Sequence, residues 1–166
     1  MADGPAHQGR HETPLERADR NFAEVLQELR VTQTGVQILF AFLLTLAFAP
    51  RFPMLDTVQR ATYVTTLLLA VLAAALFTAP AALHRALFHQ HAKPVIVRVS
   101  SRLARIGTWV LMLAFTGSVL LVVDVSLGRM AGIAAGAGTL LVCVGLWRIL
   151  PWVVRRVIVA PRKGRR

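Results

Sequence analysis

The chain has 166 residues, 55% of them hydrophobic, with a mean hydropathy of +0.58 and a formal charge of +11. A soluble domain of this size needs polar residues around the outer face of every helix, and the long apolar runs here lack them, so a soluble fold is not expected. The basic residues flank those runs, which argues against a nucleic-acid partner and for a lipid bilayer with anionic headgroups.

Residues 1–12 are polar, include Gly4, Pro5 and Gly9, and are expected to form a disordered N-terminal tail. Thr13-Pro14-Leu15-Glu16 then reads as a helix start. Thr13 suits the cap, Pro14 the first helical position and Glu16 the far side of a capping box. After it Leu15, Ala18, Phe22, Val25 and Leu29 recur at spacings of three and four, with charged residues on the other faces. This is an amphipathic helix, suited to an interfacial or packed position or to helix-mediated oligomerisation. Nothing stronger than Gly35 interrupts it, so one continuous helix is expected from Pro14 to about Phe48.

Runs without Asp, Glu, Lys or Arg cover residues 31–50, 61–84, 106–123 and 130–147. A helix needs about 20 apolar residues to cross a hydrocarbon core of about 30 Å. The fold class expected is therefore all-α, a four-helix transmembrane bundle. One membrane domain spans residues 13–157, with crossings at about 31–50, 61–83, 103–123 and 130–150, and a basic tail covers 158–166. Sixteen of the nineteen Lys and Arg residues fall before the first of the charge-free runs, between the second and third, or after the fourth. By the positive-inside rule both termini face the cytoplasm, in a bacterial inner membrane. Trp109, Trp147 and Trp152 fall at the expected cytoplasmic interface and Tyr63 at the outer one, where aromatic belts form.

The first crossing carries Thr32, Gln33, Thr34 and Gln37 in its cytoplasmic half. Amides in hydrocarbon need partners, so this face is expected to point into the bundle or a subunit interface. It serves either as interhelical packing or as the lining of an ion or solute pathway. His84, His89 and His91 sit near one loop without carboxylates, too loose a set for a metal site. Beyond Pro94 the third helix is expected to extend into the cytoplasm, with Arg98, Arg102 and Arg105 as a basic stripe. That stripe either faces Glu24 and Glu28 on the first helix or touches lipid headgroups.

Asp124, at the outer end of the third crossing, is the only acidic residue after Asp56. It is expected to be near water and to pair with Arg129 or Arg51. Gly128, Gly132 and Gly136 form a ladder at intervals of four, the pattern of a close helix–helix contact within or between chains. Cys143 is the only cysteine, so the chain cannot form an internal disulfide. No nucleophile–base pair, P-loop, dinucleotide fingerprint or carboxylate pair is present, and neither an enzyme, a cofactor nor a metal is expected.

The segment Glu12-Thr13-Pro14-Leu15-Glu16-Arg17-Ala18-Asp19-Arg20-Asn21-Phe22, followed by Leu29-Arg30-Val31-Thr32-Gln33-Thr34-Gly35-Val36-Gln37, resembles an uncharacterised family of small actinobacterial integral membrane proteins. Ala79-Pro80, His84-Arg85 and Phe88 fit it as well, and the likeness covers most of residues 13–128. The resemblance implies a domain of unknown function, some members of which carry the designation sodium:proton antiporter, and it brings no catalytic residues. The spans themselves contain no central carboxylate, and their two halves run in the same direction, unlike the inverted repeats of antiporters. The function expected is thus a structural or accessory membrane protein, forming a homo-oligomer or joining a larger membrane complex. The alternative is an oligomeric ion or proton pathway lined by the first span.

Overall fold

The computed structural model describes residues 14–87 and 93–159. The N-terminal tail, His89, His91 and the end of the basic tail lie outside the described residues, as do the side chains of Glu24, Glu28 and His84. The chain is all-α. Helix α1 is Pro14–Ala47 and α2 is Thr57–Leu87, joined through a 3-10 turn at Phe52–Met54. Helix α3 is Lys93–Leu127, α4 is Arg129–Val144, and a π turn at Gly145–Ile149 leads into α5, Leu150–Val159. Four stretches are long and apolar enough to cross a membrane: Leu29–Ala47, Thr57–Leu83, Arg98–Leu127 and Arg129–Arg156.

Hydrocarbon offers the backbone no hydrogen-bond partners, so each crossing is a helix that satisfies itself. Hydroxyls follow the same rule. Thr45, Thr78, Thr116, Ser118 and Thr139 each donate to the carbonyl four residues back, at 2.8–2.9 Å. Helix α1 has 34 residues and runs without a break, at about 1.5 Å per residue some 50 Å. Its first fifteen residues lie before its apolar window. Helix α3 likewise begins at Lys93, ahead of the stretch that starts at Arg98. Both helices therefore extend beyond their apolar crossings at the end of the bundle near the chain termini, called here the termini end. The other end, with the 48–56 connection and Gly128, is the hairpin end.

The helices run antiparallel in chain order, and α2 with α3 makes the centre. Buried positions on α2 are Tyr63, Thr66, Ala70, Ala73 and Phe77, at alternating spacings of three and four. They meet Leu111, Ala114, Ser118 and Leu121 of α3, at the same spacings. This is the repeat of a left-handed helix pair, and its small residues let the backbones approach closely. At Gly117 a methyl group would collide with the Thr66 hydroxyl, and at Gly107 it would lie 3.0 Å from the Phe77 ring. Helix α1 lays Val36, Leu39 and Leu43 onto this pair. Its attachment is fixed by the Tyr63 hydroxyl, which donates to the Leu43 carbonyl at 2.9 Å, and by Phe52 packed edge-on to the Tyr63 ring at 4.9 Å.

Helix α4 packs chiefly against α3, so the bundle is open on one side. Only 6% of the fourth window is buried, against 22%, 28% and 33% for the others. The contact is close because two glycines face α3. A methyl group on Gly132 would lie 2.7 Å from the Asp124 Cβ and 2.9 Å from its Cα, and one on Gly136 would lie 3.0 Å from the Leu120 Cβ. Gly128 departs from the expected ladder. It has φ +94° and forms the single-residue turn between α3 and α4, in a conformation that favours glycine. The ladder is therefore a turn followed by a two-glycine contact within the chain. Further along, Pro151 lacks an N–H and its ring crowds the carbonyl of Trp147. The helix widens into a π turn there, closed by the Leu150 N–H donating to the Gly145 carbonyl.

Gly132→Ala should lower stability by about 1–3 kcal/mol, since the neighbouring atoms are α3 backbone and Cβ. Gly138 has open space around it, so Gly138→Ala should be neutral or stabilise by up to about 1 kcal/mol through helix propensity. Thermal unfolding of the two variants in detergent micelles would check the contrast.

Candidate functional site

Polar side chains gather at two levels of the bundle. At the hairpin end, Arg129 binds two carboxylates at once. Its Nε lies 3.1 Å from Asp124 Oδ2 and its Nη2 lies 2.6 Å from Asp56 Oδ2. Three helix ends are thereby joined: the start of α2, the end of α3 and the start of α4. The local electrostatics call for this arrangement. Arg129 opens α4, where the helix dipole opposes a positive charge, and Asp124 lies near the end of α3, where it opposes a negative one. Each offsets the other.

The structure corrects two expectations about this group. Asp124 is not near water: its side chain is 4% exposed, lying against Gly132 as α4 passes. A carboxylate so placed needs a charged partner held in register, and the one-residue turn at Gly128 holds Arg129 there. Arg51 does not take part. It is exposed and lines a separate groove, while Asp56 supplies the second carboxylate.

Asp56 was not singled out by the sequence reading, although a signal existed. Asp56-Thr57-Val58-Gln59 has capping-box spacing. The Gln59 N–H donates to Asp56 Oδ1 at 2.8 Å and the Asp56 N–H donates to Gln59 Oε1 at 3.1 Å. One carboxylate thus caps α2 with one oxygen and binds Arg129 with the other.

The second level is the polar face of α1. Gln33 Nε2 donates to the Thr78 hydroxyl of α2 at 3.1 Å, which ties the two helices together. Thr34 donates to its own helix, to the Arg30 carbonyl at 3.1 Å. Thr32 is half-buried and has a partner. Gln37 points outward: it is exposed and makes no hydrogen bond with any described residue. The expected common face of Gln33 and Gln37 is therefore divided, because α2 covers only the Gln33 side. Among the described residues, Thr32, Gln33, Thr34 and Gln37 are thus not brought together on one inward face.

Arg98, Arg102 and Arg105 are exposed on α3 and make no ion pair with a described residue. Glu24 and Glu28 have side chains outside the described residues, so the proposed meeting of acidic and basic stripes is not among the contacts seen. At the same end Arg148 lies 4.8 Å above the Trp109 ring and Arg156 lies 3.9 Å above Trp152. Near the hairpin end an apolar groove of about 290 Å³ opens between α1 and α3, lined by Phe42, Leu46, Phe52, Leu121 and Val125 among others. Its polar lining is Arg51 with Tyr63 and Ser126, whose hydroxyls donate to the Leu43 and Val122 carbonyls.

The electrostatic clasp yields a direct test. Arg129→Met leaves Asp124 buried without its cation, which in full burial would cost 3–5 kcal/mol. With the Arg129 side chain 43% exposed, and solvent screening to match, the expected loss is about 2 kcal/mol. Adding Asp124→Asn should recover at least half of it, because the uncompensated charge is gone. Unfolding of both single variants and the double variant in one detergent measures the coupling; a double-variant loss equal to the sum of the two single losses would show that the pair has none.

Comparison with known proteins finds no match among curated proteins and none among solved structures. A family model does match, over residues 11–151, and so takes in the first three crossings, most of the fourth and both polar levels. The chain belongs to the family of unknown function DUF6328.

Proposed function

We propose that this is a non-enzymatic four-span protein of the bacterial inner membrane that assembles side by side with copies of itself, as a structural or accessory component of a larger membrane system. Both termini face the cytoplasm in this reading, because sixteen of nineteen basic residues lie on that side.

The observation that carries assembly is Gln37. It lies seven residues beyond Arg30, about 10 Å deeper along α1, within the apolar stretch Leu29–Ala47. An amide exposed there has no hydrogen-bond partner among the described residues, and an unmade bond is costly in hydrocarbon. A second copy supplies an identical amide across a two-fold axis, and each amide can donate one bond and accept one. The surroundings favour close approach. Arg30, Thr34, Gln37, Ala41 and Thr45 are all exposed and follow one another at intervals of three and four, so α1 presents a narrow polar and small face. The glycines of α4, by contrast, are used within the chain at Gly132 and Gly136.

Gln37→Leu should weaken self-association about fivefold, corresponding to about 1 kcal/mol for an interhelical hydrogen bond in a membrane. Gln33→Leu, which removes a bond within the chain, should lower stability without a comparable change in mass. Native mass spectrometry or light scattering of the protein in detergent reads both. A wild-type monomer at all concentrations, or an oligomer indifferent to Gln37→Leu, would sink the assembly reading.

The outward polar stripe of α1 favours one second reading, an ion or proton pathway formed where several α1 helices meet. Thr32, Gln33, Thr34 and Gln37 would line it. Proteoliposomes should then pass ions above the level of empty vesicles, and Gln37→Leu should abolish the flux. Absence of flux from an oligomer of confirmed mass would remove this reading and leave the first.

A further inference from the structure

The fourth crossing is longer than a membrane needs. From Arg129, about 20 residues of helix cover a 30 Å core and end close to Leu150. Helix α5 thus begins where the hydrocarbon stops. Its described side chains separate around the helix: Leu150, Val153 and Val154 lie on one side, with Trp152, Arg155 and Arg156 on the other. Among the described residues none covers this apolar side, and Leu150, Val153 and Val154 are 52%, 41% and 44% exposed. The π turn and Pro151 interrupt the regular helix at its start.

Two guanidinium groups at this level are held in place by indole rings. Arg148 of the π turn stacks on Trp109 of α3, which bridges the two helices, and Arg156 stacks on Trp152 within α5. A stacked guanidinium uses its face and keeps its N–H edge for planar acceptors such as a phosphate. Neither group has a carboxylate partner among the described residues, and no Asp or Glu follows Asp124 in the sequence. Positive charge here has no anion of its own.

We infer that the termini-end surface formed by α3 and the α4–α5 junction binds the phosphate headgroup of an anionic phospholipid. Arg148 and Arg156 grip the phosphate, Trp109 and Trp152 hold the two guanidiniums, and α5 lies in the interfacial layer. The inference rests on the four apolar helices being membrane crossings, and it is independent of self-association. A lipid, rather than a free phosphate ion, is the occupant because the apolar side of α5 beside the cations needs acyl chains to cover it. The headgroup completes the site from above and the chains complete it from below.

The test uses the full chain in detergent, titrated with phosphatidylglycerol or phosphatidylcholine and read by native mass spectrometry for retained lipid. The wild type should retain phosphatidylglycerol at least about tenfold better, following the usual attraction of basic residues for anionic headgroups. Arg148→Gln with Arg156→Gln should remove most of that preference. Arg98→Gln with Arg102→Gln, two exposed cations without an indole, should leave it within about twofold. Inorganic phosphate at millimolar concentration should not displace the lipid. Equal retention of the two lipids, equal losses in the two double variants, or displacement by phosphate would each overturn the inference. Trp109→Phe serves as a second probe if the double variant fails to fold: it keeps an aromatic surface but weakens the stack, and should reduce the preference by severalfold.

Discussion

Most of the described polar groups in the apolar stretches answer to one constraint: hydrocarbon supplies no hydrogen-bond partner. The backbone meets it by staying helical through each crossing, and hydroxyls such as Thr116 and Ser118 meet it by donating to the previous turn of their own helix. Longer side chains must look across helices. Tyr63 reaches the Leu43 carbonyl, Gln33 reaches Thr78, and Arg129 reaches both Asp124 and Asp56. These few bonds hold α1 to α2 and join the ends of α2, α3 and α4. Gln37, exposed and without a hydrogen bond to any described residue, stands outside this set.

Close backbone approach is the second device. Apolar side chains are as well solvated by lipid tails as by one another, so helix association depends on packing and on small residues. Ala70, Ala73, Ala114, Gly117 and Ser118 supply them between α2 and α3, and Gly132 and Gly136 between α3 and α4. The α3–α4 contact has an electrostatic consequence. Because Gly132 lacks a side chain, α4 passes close over Asp124 and shuts its carboxylate away, and the same turn that starts α4 delivers Arg129 to it. Packing and charge pairing at the hairpin end are one feature.

Much of the architecture could be read before any coordinates. The four charge-free runs, the uninterrupted pattern from Pro14 through the first run, and the basic stripe ahead of the third were each visible as local patterns. Local patterns fare well in a membrane because each crossing must satisfy its own backbone, which leaves little for distant contacts to alter. Asp124 and Arg129 were also legible as neighbours, being five residues apart across a turn. Asp56 was not, since it lies 73 residues from Arg129 in the chain and its capping role masked its second use. The regular spacing of Gly128, Gly132 and Gly136 was likewise read as one face, while a positive φ at the first of them splits it into a turn and a contact.

The sequence by itself determined what must hold along a single helix: the number and length of the crossings, the sides on which charge gathers, and the residues too polar for lipid. Only the tertiary structure decided which of those residues meet. Gln33 is satisfied by α2 and Gln37 is left facing out, although one turn separates them, because α2 covers one side of α1 and no described residue covers Gln37 on the other. Asp124 is buried where the sequence expected water, because a glycine eight residues later lets α4 lie against it. Spacing along a chain specifies a direction around a helix, but the neighbour met in that direction depends on how all the helices pack.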